Sequence, residues 1–519
     1  MNGSRLAVAA AAGALMSAAL PPSGLWPLLL ALVPLFALVA GSRLPREAFW
    51  LGFSFGLAFF TLYVLWLPSS FASPTFFGPS FWLLYPPLLI ILASFWGLVT
   101  VAARLLGGGG WRTLALLPPL WILMEWARTQ GYFAFPWGTL GYAWLDTPVA
   151  QLADTIGVWG LSLLAASVAA LLVAPFVSPR PASAQGAAFA GGGAFGPGGD
   201  AIWRRGLPLV VALALVGTAW LAGTYKLARQ LPAPDKNVLL VQGNLDPFGR
   251  LMGSESEVRI QAGLTADGVE ALPAPPDLVI WPEGAVMSGF EGERGREALS
   301  QIQASAPDSL FLVGARVNDE HGSYNSAYTI AGGRSFDRYD KHYLVPFGER
   351  FPLADAAAPL YRAVFGLFGL APLTSTSQGT ELAPLDSPIG RIAAYICYES
   401  VFPQVQRSMV GSGADLLVNI TNDAWFSHGD GAAQHYEMGR MRAIETRRYL
   451  LRAGNDGVTG VVDPFGRTLA QIPRGISGVM SAPFALSDEL TPWVRYGDWL
   501  LPLLFVWIAA LMVGRLSAR

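Results

Sequence analysis

Long apolar runs broken by short arginine-bearing segments fill residues 1–225, and one such run returns near the C-terminus. A bilayer-crossing helix needs about 20 mostly apolar residues. The stretches 5–20, 25–41, 49–68, 81–103, 113–130, 155–177, 207–225 and 497–514 predict eight membrane spans. The first two are short and meet at PPSG (21–24), which predicts a tight hairpin. Beyond 226 the pattern changes to short β-rich runs ending in polar residues. These are NVLLVQGN (237–244), PDLVIWPE (276–283), LFLVGARV (310–317), YNSAYTIA (324–331), RIAAYICYE (391–399) and ADLLVNITND (414–423). Continuous apolar runs of this length predict buried strands covered on both faces. Helical stretches at 254–271, 292–305 and 434–448 lie between them, so the region is α/β. In the last of these, Met438, Met441, Ala443 and Ile444 alternate with Glu437, Arg440, Glu445 and Arg447. That pattern predicts an amphipathic helix with paired charges on its solvent face.

Composition fixes the solvent. Charged residues make up 13% of the chain, against roughly 25% in a soluble domain. Apolar residues reach 53% and mean hydropathy is +0.42, so lipid must cover much of the surface. A net charge of −2 and the lack of any basic block exclude nucleic acid as a partner. Arginine placement then sets orientation. With a cytoplasmic N-terminus, the inside segments hold Arg5, Arg43, Arg46, Arg104, Arg112, Arg180, Arg204, Arg205, Arg515 and Arg519, while the short outside loops hold only Arg128. The positive-inside rule therefore predicts a seven-helix transmembrane domain over 1–225, an outer-face domain over 226–490 and a C-terminal span within 491–519. Both termini face the cytoplasm. Residues 1–20 share features with a secretory signal, but PPSG and an immediate second apolar run make a poor cleavage context, which favours a retained helix.

The segment 178–206 is a Gly/Ala/Pro-rich linker, and GGGG at 107–110 is another; neither carries the Lys-Ser/Thr of a phosphate-binding loop. Glu125 and Arg128, three apart on one helix face, must pair or sit at the end of their span. The aromatics that follow, Phe133, Phe135, Trp137, Tyr142 and Trp144, suit an interfacial belt or a substrate-contacting surface equally.

Three residues carry candidate chemistry. Glu283 closes LVIWPE, Lys341 lies in RYDKHYLVPFGER, and Cys397, the only cysteine of the chain, lies in YICYES. A carboxylate, an amine and a thiol suit covalent acyl transfer: the thiol attacks a carbonyl, the carboxylate takes its proton and the ammonium meets the oxyanion. The proline before Glu283 predicts that its carboxylate leaves a strand end into a loop. Glu399 follows Cys397 by two residues, on the same side if the strand stays extended. A free thiol with a pKa of about 8.5 is mostly protonated at neutral pH, so a nearby lysine is expected to favour the thiolate. One cysteine excludes an intrachain disulfide framework. Asp423, His428, Asp430 and His435 lie close in sequence, but their spacing fits no familiar metal-ligand set, and no metal or other cofactor is expected.

WPEG, DKHYLVPFGE and ICYE resemble the three signature blocks of the nitrilase superfamily. The whole chain is similar to its membrane-embedded branch, the apolipoprotein N-acyltransferase family, also through EWARTQGYFAFPWGTLGYAWLDTPVAQLAD (125–154), NDAWF (422–426), QHYEMGRMRAIETRRYLLRAGNDG (434–457) and VVDPFGR (461–467). The resemblance implies an α-β-β-α sandwich on an eight-helix membrane bundle, in the bacterial inner membrane with the catalytic domain periplasmic. It implies Glu283 as general base, Lys341 as the oxyanion-stabilising cation and Cys397 as nucleophile. Glu349, Tyr398 and Glu399 match supporting positions, and Trp425 matches an aromatic near the entrance. The partners it implies are the bilayer, a phospholipid acyl donor and an apolipoprotein acceptor. The apolar run with Leu360, Phe365, Leu367, Phe368 and Leu370 would form a lid that dips into lipid and excludes water. Two other classes fit the residues less well: a membrane-anchored nitrilase-type amidase, and a non-catalytic transporter or scaffold.

Overall fold

The computed structural model describes residues 3–72, 78–177, 199–245, 254–287, 289–351, 353–368, 375–426 and 429–517. Helices occur at all eight apolar stretches: Gly3–Ser17, Trp26–Ala40, Pro45–Tyr63, Phe81–Gly107, Gly110–Ala127, Ala153–Val173, Gly199–Leu227 and Leu500–Leu516. Among the described residues, three segments are long and apolar enough to cross a membrane: Phe81–Gly107, Pro148–Phe176 and Gly206–Leu227. Trp26–Ala40 and Leu500–Arg515 are apolar but shorter. The chain is a membrane protein with a helical bundle.

Helix Pro45–Tyr63 packs against Phe81–Gly107 through glycines. A Cβ on Gly52 would stand 2.4 Å from Trp96 O, so only glycine permits this approach. Trp96, Trp121, Phe55 and Phe59 then fill the centre of the bundle. The N-terminal helix belongs to this core, with Ala9 and Met16 fully buried and Arg5 paired to Glu47. The GGGG turn joins two helices through residues at φ +76° and +109° (Gly108, Gly109), where other residues would be strained. The linker expected over 178–206 is shorter than that: from Gly199 the chain is helical, and residues 178–198 lie outside the described ones.

The second domain is a sandwich of two sheets. Its strands are β1 Lys236–Gln242, β2 Leu278–Val286, β3 Leu310–Asp319, β4 Gly322–Ala331, β5 Arg334–Asp340, β6 Ile392–Ile396, β7 Leu416–Thr421, β8 Leu450–Gly454, β9 Thr459–Val462, β10 Thr468–Ile472 and β11 Gly478–Phe484. One sheet runs β11-β1-β2-β3-β4-β5 and the other β10-β9-β8-β7-β6. The central neighbours β1-β2-β3 and β6-β7-β8 are parallel, and the outer pairs are antiparallel. Helices Ser254–Glu270 and Gly292–Ser305 cover the first sheet, Pro403–Gly411 and Gly431–Thr446 the second. Every residue of β2, β6, β7 and β8 is buried, as continuous apolar runs require.

Helix Gly431–Thr446 departs from its predicted solvent-facing role. Arg442 and Glu445 are fully buried, and Arg447 beyond the helix nearly so. The face that would meet water meets the membrane bundle instead. Glu445 Oε1 accepts from Val158 N at 2.9 Å, beside the kink at Gly157, and Arg447 Nη2 pairs with Asp154 at 2.7 Å. Gln434 reaches Tyr63 O at 2.9 Å, and Trp66 Nε1 donates to its Oε1 at 2.9 Å. Only Glu437 and Arg440 keep the expected partly exposed pairing.

Candidate active site

Strand ends of both sheets converge on one point. Glu283 does not leave the sheet at Pro282 as expected: β2 runs on to Val286, and its pairing with β3 shifts between Trp281 and Val286. That irregularity lets the Glu283 side chain turn inward, where it is 7% exposed. Lys341 follows β5 directly and is 1% exposed, so it is no solvated lysine. Its Nζ lies 3.5 Å from Glu283 Oε1 and 2.8 Å from Glu349 Oε2. Asn325 of β4 spans the same two carboxylates, donating to Glu283 Oε1 at 2.6 Å and Glu349 Oε1 at 3.1 Å. Glu349 also accepts from Val345 N at 3.0 Å. Burial opposes the Lys341 ammonium, but Glu349 and then Glu283 outweigh it, so the lysine stays charged. Burial likewise opposes the Glu349 carboxylate, and Lys341 overcomes it.

Cys397 follows β6 directly in a left-handed conformation, φ +50°, and opens a short 3-10 turn, Cys397–Val401. A non-glycine residue there stores about 1–3 kcal/mol of strain, the sort of cost that persists at working sites. The extended path expected from Cys397 to Glu399 is therefore absent. Glu399 instead folds back, because a buried carboxylate must satisfy its oxygens. Oε2 accepts from Ile396 N at 2.8 Å, and Oε1 from Tyr339 Oη, His342 N and Tyr343 N at 2.6–3.0 Å. It ties the turn that presents Cys397 to the loop that carries Lys341. Tyr398 packs outward against the membrane domain, stacked on Trp137 at 5.9 Å with its hydroxyl on Ala134 O.

The thiol is not poised as a thiolate. Burial pushes Cys397 up to about 12, Glu283 adds to this, and Lys341 opposes it without prevailing. The expected lysine effect exists, but desolvation outweighs it. The resting nucleophile is a thiol beside a carboxylate.

The membrane bundle supplies one wall. Arg128 caps helix Gly110–Ala127 and holds the carbonyls of Phe135 (3.0 Å) and Trp137. Glu125 accepts from Trp121 Nε1 and Leu140 N, both at 3.0 Å. No ion pair joins Glu125 to Arg128 among the described residues; the end-of-span position is the one they use. The aromatics divide. Trp137, Tyr142 and Trp144 are buried as packing, whereas Phe133 is 62% exposed and lies 6.0 Å from Phe347 of the loop after Lys341. Arg350 of the same loop stands over Tyr132 at 3.9 Å. Trp425, in the short turn Asp423–Phe426, is partly exposed. Helix Ala354–Phe368 continues this rim with Leu360 exposed, while the side chains of Phe365, Leu367 and Phe368, and Leu370 altogether, lie outside the described residues.

Asn325 and a network under Cys397 escaped the sequence. Asp423 and His435 do meet, but with each other and with Arg452, at 3.0 and 2.6 Å from Asp423, and not around a metal position; His428 lies outside the described residues. The strings NDAWF and QHYEMGR held these residues, with nothing in their spacing to assign them a role.

Family models match in two blocks: the apolipoprotein N-acyltransferase N-terminal domain over residues 12–171 and carbon-nitrogen hydrolase over residues 260–489. The apolipoprotein N-acyltransferase of Geobacter metallireducens is 32% identical over 99% of this chain and 95% of its own length. That of Pseudomonas putida is 33% identical over 99% and 97%, and that of Azotobacter vinelandii 33% over 98% and 93%. With an α-β-β-α sandwich, an apolar helical bundle and similarity running end to end, the chain belongs to the apolipoprotein N-acyltransferase family.

Proposed function

We propose that this protein transfers a fatty acyl chain from a membrane phospholipid to the α-amino group of the diacylglyceryl-cysteine that begins an apolipoprotein, through a thioester on Cys397. The observation that carries this is the strained Cys397 beside the buried Glu283–Lys341–Glu349 cluster, walled on one side by the membrane bundle. Glu283 takes the thiol proton as sulfur attacks the donor ester, and Lys341 meets the charge on the acyl oxygen. Collapse expels the lysophospholipid alkoxide, which takes the proton from Glu283. The acceptor amine then gives a proton to Glu283 as it attacks the thioester, and the thiol re-forms. Glu349 keeps Lys341 charged, Glu399 and Tyr398 hold the turn, and Trp425 contacts substrate at the mouth. These roles need no metal or cofactor.

The same proposal sets the chain in the bacterial inner membrane as a multi-pass protein of eight spans, with residues 1–225 and 491–519 in the bilayer. Residues 226–490 stand on the periplasmic side and both termini in the cytoplasm, as the arginine bias requires. A reporter fused after residue 240 is expected to be active only in the periplasm; cytoplasmic activity there would overturn the orientation.

Membrane-anchored amidase chemistry differs in the second acceptor, water. The apolar rim of Phe133, Phe347 and Leu360 favours a lipid-facing, water-poor mouth, hence transfer. Incubation with defined phospholipid and a diacylglyceryl-cysteine peptide should raise the peptide mass by one acyl chain and release lysophospholipid. Free fatty acid with an unchanged peptide would establish hydrolysis, and neither product would leave a scaffold.

A further inference from the structure

The end of the bundle remote from the active site carries charge that acyl transfer does not use. Arg104 stands in the last turn of helix Phe81–Gly107, Arg112 in the first turn of Gly110–Ala127 and Arg515 in the last turn of Leu500–Leu516. All three are half-buried around the glycine turn at 107–110. Helix Gly110–Ala127 has 18 residues and so spans about 27 Å between this turn and Arg128 at the active-site wall. A hydrocarbon core is about 30 Å thick. The cluster therefore meets the leaflet opposite the one beside the active site.

Backbone carbonyls hold each guanidinium. Arg104 donates to Ser42 O at 3.0 Å and Arg43 O at 2.8 Å, just beyond helix Trp26–Ala40. Arg112 donates to Gly514 O at 2.9 Å, and Arg515 to Leu105 O and Leu106 O, both at 2.6 Å. Among the described residues, no ion pair joins any of the three to a carboxylate. Glu47 beside them is already taken by Arg5 and by the Arg43 amide, the latter at 2.8 Å.

The charges also crowd one another. A Cβ on Gly108 would stand 3.2 Å from Arg515 Nη2, and one on Gly109 would stand 3.6 Å from Arg104 Cζ. Two guanidiniums thus lie against adjacent residues of one turn, where like charges repel. A helix C-terminus offsets about half a charge. Three cations at three such ends keep an excess above one, which a single phosphodiester does not cancel and two do. The surroundings are apolar and open: Leu105, Trp111 and Val513 are exposed, and Arg112 Cζ lies 5.4 Å from the Trp111 ring centroid. Cations level with an exposed indole and flanked by aliphatic side chains suit the boundary between headgroups and acyl chains.

We propose that Arg104, Arg112 and Arg515 bind a dianionic, cardiolipin-type phospholipid of the leaflet opposite the active site. Its two phosphodiesters meet the guanidinium forks, and its acyl chains lie on Leu105, Trp111 and Val513. The lipid also bridges the C-terminal helix to the Gly107–Gly110 turn. This site is independent of the chemistry at Cys397.

The test titrates the full-length protein, freed of lipid in detergent, and counts bound ligand by native mass spectrometry. The probes are cardiolipin, phosphatidylglycerol and phosphatidylethanolamine with the same acyl chains, and inorganic phosphate. The parent is expected to retain one cardiolipin in preference to both other lipids. R104Q/R112Q/R515Q should lose about 100-fold in cardiolipin affinity, at roughly fivefold per arginine. R104K/R112K/R515K keeps the charges and should stay within about tenfold of the parent. Should the glutamine variant fail to fold, W111E and W111Q pose the same question. Both remove the indole, but only W111E places a carboxylate in the cluster, from a first helical turn that tolerates an acid. It should bind cardiolipin about fivefold more weakly than W111Q. Equal affinity of the parent for cardiolipin and either other lipid would overturn the proposal. So would unchanged affinity in the glutamine variant, or equal affinity in W111E and W111Q. Displacement of cardiolipin by millimolar inorganic phosphate would show a site for a free anion and overturn it as well.

Discussion

Glu283→Gln is expected to cut turnover by about 10⁴-fold while leaving the protein folded, an effect at the upper end of what a general base supplies. The size follows from the state of the thiol. Burial holds Cys397 up to about 12, so almost no thiolate exists at neutral pH, and proton removal must accompany attack. Glutamine can still accept from Asn325 Nδ2 through its amide oxygen, which is why folding should survive. Cys397→Ala should lose all turnover, because the chain holds no second thiol. Cys397→Ser should be nearly as inactive, since a hydroxyl is harder to deprotonate in the same dry site. Steady-state turnover of the diacylglyceryl-cysteine peptide measures all three. Activity within tenfold of the parent, about 1.4 kcal/mol, in Glu283→Gln would remove Glu283 from the mechanism.

Lys341→Ala is expected to damage both stability and chemistry. Lys341 is the only cation within ion-pair distance of both Glu283 and Glu349 among the described residues; Lys341 and Glu283 are buried and Glu349 is 11% exposed. Removing one partner of a buried ion pair costs about 3–5 kcal/mol, and here Arg316 at 3.9 Å from Glu349 and the Asn325 amide would offset part of that loss. The loss of an oxyanion contact adds about 10²–10³ in rate. The double variant Lys341→Ala/Glu349→Gln separates the two effects. It removes one stranded carboxylate, so thermal stability should partly recover, while turnover should not. Recovery of turnover in the double variant would mean that Lys341 only balances charge.

The strings around Glu283, Lys341 and Cys397 made the chemistry legible through their residue types; in the fold Lys341 follows β5 and Cys397 follows β6, while Glu283 lies within β2 at its register shift, where side chains from distant segments of stacked sheets meet. The six apolar runs marked β1, β2, β3, β4, β6 and β7 by residue type as well. Strands β5 and β8–β11 were not legible. β5 is polar and half-exposed, and β8 hides behind the arginines of RRYLLRAG, whose charge disguises a fully buried segment. Helix Gly431–Thr446 misled through its periodicity: one face is polar, but its partner is a membrane helix carrying Asp154 and a kinked, hydrogen-bonding backbone at Val158. Pattern reveals that a face is polar, not whether water or protein satisfies it. The turn at Cys397 was equally hidden, since a left-handed cysteine is a tertiary constraint that no local propensity records. The thiol's protonation state followed from burial, a quantity set by both domains together.

The covalent mechanism is tested most directly by intact mass of the purified full-length protein after incubation with a single defined phospholipid and no acceptor. One fatty acyl group should be gained at Cys397, lost again in neutral hydroxylamine, and discharged on adding the diacylglyceryl-cysteine peptide with parallel lines in two-substrate kinetics. An unmodified Cys397 during active turnover, with intersecting lines, would show direct transfer in a ternary complex and contradict the thioester.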